Sequence, residues 1–124
     1  MSSIVDAIMT VHYACPKVAD LLTKPIDPND PRKQAFAPIN TASAGGNKQL
    51  TADIYAAAFN YLSPSHILNW LFQLPWCHID NVSLTAAHED GAAFTMVRSQ
   101  GKFVMVETYI VDEHGTCDVR VFGP

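Results

Sequence analysis

The last third of the chain alternates apolar and polar residues with a period of two, and three short turn sequences interrupt it: Glu89-Asp90-Gly91, Ser99-Gln100-Gly101 and Glu113-His114-Gly115. Successive side chains of a β-strand point to opposite faces, and glycine-containing breaks at this spacing join neighbouring strands as hairpins. The pattern predicts four antiparallel strands in a meander, at about 78–88, 92–98, 102–111 and 116–122. The third has Val104, Val106 and Ile110 on one face and Phe103, Met105 and Tyr109 on the other. Two apolar faces predict a central strand.

Upstream of Trp76 the periodicity reads as helical. Ser3 and Asp6 frame an apolar series of Ile4, Ala7, Ile8 and Val11, the form of a capping box opening a helix that runs to about Ala14. Pro16 opens a second helix, with Val18, Ala19, Leu21 and Leu22 on one face and Pro25 as its stop. Thr51 can cap a third, in which Ile54, Tyr55, Ala58, Phe59 and Leu62 share a face. Ser63-Pro64 starts a fourth, running to about Leu74 on a stripe of Ile67, Leu68, Leu71 and Phe72, with Pro75 closing it. From Lys24 to Lys48 five breakers besides Pro25 (Pro28, Pro31, Pro38, Gly45 and Gly46) predict a long loop, with a rigid turn at Asp27–Pro31 and its most flexible point at 42–47. The expectation is one α+β domain over 1–124, with N-terminal helices in 3–75 packed on a C-terminal antiparallel sheet of four or more strands.

Composition limits what such a domain can do. Charged residues make up only 16% of the 124, and hydrophobic residues 48%, so the chain is poorly suited to disorder and well supplied with apolar surface. A net charge of −4 comes from scattered acids with no basic stripe, which argues against nucleic-acid binding. The start Met1-Ser2-Ser3-Ile4-Val5-Asp6 lacks the basic opening and apolar run of a signal peptide, and no apolar stretch reaches ~18 residues, so no membrane span is expected. Cys15, Cys77 and Cys117 are odd in number and widely spaced, which points to reduced thiols in a cytoplasm.

Between Asp53 and Asp80 no charged residue occurs, with histidines neutral. Two helices there would ordinarily each show a charged face to water, so much of their surface is expected to be covered by the sheet, by a ligand or by a second copy of the chain. A twofold homodimer is the expectation, with Trp70, Phe72 and Trp76 as its anchors.

Glu107 lies in the third strand on the face of Phe103, Met105 and Tyr109, surroundings that raise a carboxyl pKa. It also reads as an edge residue that reaches water or pairs with Arg98 or Arg120. The stretch Glu107-Thr108-Tyr109-Ile110-Val111-Asp112-Glu113-His114-Gly115 resembles the last hairpin of the ketosteroid-isomerase branch of the NTF2-like (SnoaL-like) superfamily. With a helix like 65–74 and a turn like 89–91, the resemblance covers about half of the chain. It implies a curved sheet wrapped as a cone around an apolar pocket, and an oxyanion hole made by Glu107 and the first-helix Tyr13. The acid is Glu where the family has Asp, and residues 24–50 replace the region that supplies the family's base. No base carries over; Asp27 and Asp30 lie in that region and read first as turn formers.

Histidine and cysteine pairs at His12/Cys15, Cys77/His78 and His114/Cys117 are zinc-ligand types, but without a CxxC or HExxH core the better reading is buried cysteine and surface histidine, with no metal. A Cys15 nucleophile has no local motif behind it. Two functions follow. One is an apolar-pocket protein that binds a small apolar molecule or catalyses a cofactor-free proton transfer or isomerisation, with Tyr13 and Glu107 as donors and Phe103, Met105, Tyr109, Trp70 and Trp76 lining the pocket. The other is a non-catalytic cytoplasmic interaction module of the accessory, inhibitor or immunity type, which meets a protein partner through 54–79 and the long loop.

Overall fold

The structure, a computed structural model, describes residues 3–12, 15–76, 82–89, 91, 93–99, 102–110 and 117–122, with backbone alone for 97–99, 102–105, 107–110 and 117–122. The strands are β1 (Ile4–Val11), β2 (Ala37–Ile39), β3 (Asp53–Asn60), β4 (Val82–His88), β5 (Ala93–Ser99), β6 (Lys102–Ile110) and β7 (Cys117–Phe122), and the helices are α1 (Pro16–Ala19) and α2 (Pro64–Gln73). All seven strands form one antiparallel sheet in the order β2-β3-β1-β4-β5-β6-β7.

The predicted meander is present as β4 to β7, and β6 is interior, between β5 and β7. The predicted layer of N-terminal helices packed on a C-terminal sheet is not. Residues 4–11 form a strand that pairs with β3 and β4 at once, with Met9 opposite Tyr55 on one side and Leu84 on the other. Residues 53–60 likewise form a strand, paired with β1 and β2. The physical reason is that the apolar residues of β1 also alternate, Val5, Ala7, Met9 and Val11 being buried while Asp6 and Ile8 are exposed. Pairing along both edges satisfies the whole backbone of β1 and outweighs the helical option. Of the helical readings α2 holds: Ser63 caps it through a bond from the His66 N–H at 3.2 Å, Pro64 opens it and the chain leaves it at Leu74. The helix expected from Pro16 stops after Ala19.

One face of the sheet carries the core. Val5, Met9 and Val11 of β1, Phe59 of β3, Leu84 of β4 and Met96 of β5 are buried there against Ile67, Leu68 and Leu71 of α2 and Val18 and Leu22 of the α1 region. Phe36, from the long connection, completes the contact: its ring meets Phe59 edge-on at 5.1 Å and stacks on Trp70 at 5.6 Å. The proline-rich stretch is therefore not a bare loop. It contributes β2 and a buried aromatic.

Side-chain bonds hold this stretch in place. The Asn60 N–H donates to Gln34 Oε1 at 2.6 Å, and Gln34 Nε2 donates to the Asn60 carbonyl at 2.9 Å, so the side-chain amide pairs with the strand end as a backbone amide would. Gln34 Nε2 also reaches Asp30 Oδ2 at 3.2 Å. Asp30, only 8% exposed, accepts from the Arg32 side chain at 3.0 Å and the Arg32 N–H at 2.9 Å, and these bonds hold its pKa down to about 2 from 3.8. Asp27 accepts from the Asn29 N–H at 2.9 Å, making the expected turn.

Two outcomes follow. Met9→Ala should destabilise the protein by about 2–5 kcal/mol in chemical denaturation and Ile8→Ala by far less, since Met9 is buried and Ile8 is 53% exposed; a helix over 4–14 would make Ile8 the costly site. Because the folded pKa of Asp30 lies below its unfolded value, its contribution is complete above about pH 4 and is lost as pH falls through about 2. Asp30→Asn should therefore lose less stability than the wild type between pH 4 and pH 2, measured by urea titration at each pH.

Candidate functional site

The residues proposed as an oxyanion hole are not brought together in what the structure describes. Tyr13 lies outside the described residues, and it follows a strand where the NTF2-like resemblance implies a first helix. Glu107 is in β6, opposite Phe94 of β5 and Arg120 of β7. Along that row Phe94 faces Ala86, which is buried, and Ala86 faces Ala7, so the register puts position 107 on the core side of the sheet. Arg120 is its cross-strand partner in the register on the other side. Met105, on the same side, is opposite the buried Met96. The side chains of Phe103, Met105, Glu107 and Tyr109 lie outside the description.

The tryptophans have partners within the chain. Trp70 stacks on Phe36, and the Trp76 indole N–H donates to the Leu71 carbonyl at 2.8 Å, which ties the chain back onto the end of α2. Phe72 and both tryptophans are partly buried against the core. The uncharged segment also needs less cover than two helices would. Its first half is β3, flanked by strands on both sides, and the outward face of α2 presents Ser65, His66, Asn69 and Gln73, which are polar without being charged. These line a groove of about 440 Å³ that ends at Trp70 and Ile26.

Lone candidates for chemistry have structural roles. Asp30, held ionised by Arg32, has too low a pKa to act as a base near neutrality. Ser3 Oγ and His88 Nε2 are 2.8 Å apart, a nucleophile–base distance that no sequence motif announces across 85 positions. The Ser3 N–H points to Asn60 Oδ1 at 3.4 Å and its carbonyl accepts from Tyr61 at 2.9 Å, so the pair joins the ends of three strands. Among the described residues no three His, Cys, Asp or Glu side chains gather as a metal site. Cys77, His78 and His114 lie outside the description, as does the Cys117 side chain. Cys15 is disulfide-bonded, which overturns the expectation of a reduced thiol there and removes it as a nucleophile. No described helix is long and apolar enough to cross a membrane.

The feature that sequence reading missed is the sheet face turned away from the core. Cross-strand pairing assembles it in rows: Ile39, Ile54, Thr10 and Ser83 in one, Ala37, Ala56, Ile8, Thr85 and Thr95 in the next. Ile8 is 53% and Ile39 47% exposed. Asp6, in the following row between Ala58 and Ala87, is its one charged residue among these positions. Small residues make the face flat, and aliphatic side chains stand at its centre and edge. Only a known register could have revealed it, because its residues come from five separate strands of the chain.

Compared with known proteins, the chain matches no family model, no curated protein and no solved structure.

Proposed function

We propose that this chain is a non-catalytic interaction module, and that the outward face of its sheet docks against protein, a second copy of the chain being the simplest occupant. The observation that carries the reading is the exposure of Ile8 and Ile39 on a nearly uncharged face. Isologous pairing covers such a face with the fewest distinct contacts, since each copy supplies the same surface. Trp70 and Trp76, engaged inside the chain, are not the anchors of this contact. A negative net charge gives no attraction to nucleic acid. The expected residence in the cytoplasm is not part of this reading, because Cys15 is disulfide-bonded and lasting disulfides are rare there.

The pocket reading, with its NTF2-like kinship and its small apolar ligand, retains one supporting observation, the core-side position of Glu107 in the register. Under it the Glu107 carboxyl keeps its proton at pH 7, which carbon NMR of labelled glutamate reads directly against a Glu107→Gln control. An ordinary carboxylate value for Glu107 ends that reading.

For the interaction module, light scattering at micromolar concentration should give the mass of two chains for the wild type and of one chain for the Ile8→Lys/Ile39→Lys double variant. Both positions are exposed, so the substitutions leave the core intact. A single-chain mass for the wild type, unchanged from micromolar to tenfold higher concentration, rules out the second copy as occupant.

A further inference from the structure

The groove on the outer side of α2 lies away from the outward sheet face, because α2 turns Ile67, Leu68 and Leu71 to the core side of the sheet. Its helical wall is two columns of side chains, Ser65, Asn69 and Gln73 in one and His66 and Trp70 in the other. A spacing of four residues puts the members of each column one turn apart on a single face. Ser63 and Ile26 complete the lining. We propose that this groove binds a neutral sugar, the amides of Asn69 and Gln73 bonding to its hydroxyls and the indole of Trp70 meeting the apolar side of a ring.

The chemistry of the lining selects that class of ligand. An ion drawn out of water needs an opposite charge to receive it, and no carboxylate, ammonium or guanidinium lines the groove. The whole stretch between Asp53 and Asp80 is free of such groups, although an exposed helix face ordinarily carries them. A purely apolar ligand would strip water from Asn69 and Gln73 and return no hydrogen bond. Both of these side chains are exposed, and no hydrogen bond within the described residues engages their amides. Each amide offers donors and an acceptor, which is what a hydroxyl group, itself donor and acceptor, can satisfy. Sugars pair such hydroxyls with an apolar ring face, and Trp70 supplies the surface for it.

The walls are held from behind. Phe36, buried in the core, occupies one face of the Trp70 indole at 5.6 Å, and the groove borders the rest of the ring. Ile26 is buried, and its N–H donates to the Gln34 carbonyl at 2.9 Å. Ser63 Oγ accepts from the His66 N–H at 3.2 Å and lies 3.1 Å from Ser65 Oγ, which sets the hydroxyls at one end. A lining supported in this way loses little freedom when a ligand arrives. The volume of about 440 Å³ lies in the lower part of the range of small-molecule sites and suits about one or two sugar rings.

Nitrogen-15 NMR of the full chain reads the site directly. The probes are maltose, lactose, cellobiose and diacetylchitobiose, each raised to about 20 mM, enough to fill most of a site of millimolar affinity. At least one should move the side-chain amide signals of Asn69 and Gln73 and the indole N–H of Trp70 in a saturable way. The indole N–H of Trp76, bonded to the Leu71 carbonyl, is the internal reference. The Asn69→Ala/Gln73→Ala variant should bind that sugar at least about tenfold more weakly, each lost hydrogen bond being worth a factor of about 2 to 12. Both positions are exposed, so the backbone spectrum of the variant should stay that of the folded wild type. Three results would overturn the proposal: none of the four sugars moves these signals, the double variant binds as the wild type does, or glucuronate or glucosamine saturates the groove at lower concentration than the neutral sugars. The mass of the particle plays no part in this readout, so the sugar site and the docking of the outward face stand or fall separately.

Discussion

The pairing of β1 along both of its edges organises the molecule. Each residue from Val5 to Val11 has a cross-strand neighbour in β3 and another in β4, although those two strands are separated in sequence by α2. The alternation within eight residues then assigns every neighbour to a side. Val5, Ala7, Met9 and Val11 turn Phe59, Leu84 and Ala86 toward the core; Asp6, Ile8 and Thr10 turn Ala58, Ala56 and Ile54 toward solvent. A slip of one residue in β1 would exchange the two sets, and buried Met9 would trade places with exposed Ile8.

What covers the core side is assembled from unlike parts. The ten residues of α2 supply Ile67, Leu68 and Leu71, while the rest comes from irregular chain anchored by Phe36, Leu22 and Ile26. Irregular chain can be buried only if its backbone and polar groups find partners. Gln34 and Asp30 answer that need: one joins the backbone of Asn60, the other draws Arg32 and Gln34 together. Charge here serves to make a loop behave as part of the core.

The regions legible in the sequence are those where one period excludes the other. In 82–122 the turn residues break the chain into short pieces with clear alternation, and β4 to β7 begin and end within a few residues of the predicted limits. At Ser63-Pro64 the cap and the first-turn proline fix the start of α2. In 4–11 apolar residues occupy both the i, i+3, i+4 set and the alternate set, and in 53–60 the run Ala56-Ala57-Ala58 favours a helix that the pairing with β1 and β2 overrides. Helix propensity is worth tenths of a kcal/mol per residue, against a full set of ladder bonds and a buried face. The site followed the same division: alternation within one strand could set Glu107 in the row of Phe103, Met105 and Tyr109, whereas the face around Ile8 exists only after five strands have been placed beside one another.

The hairpin from β2 to β3 has a separate implication for how this chain tolerates change. Ile39 and Ile54 face each other across the ladder, so the ends of the connection between them are held about 5 Å apart whatever its length. That connection, 40–52, is exposed along nearly its whole course, and doubling a loop of this kind costs only about 0.6 kcal/mol in closure entropy. New sequence can enter there without reaching the core, which makes the hairpin tip the place where related chains are free to differ in length and where a tag or a whole inserted domain would be carried at least expense to folding.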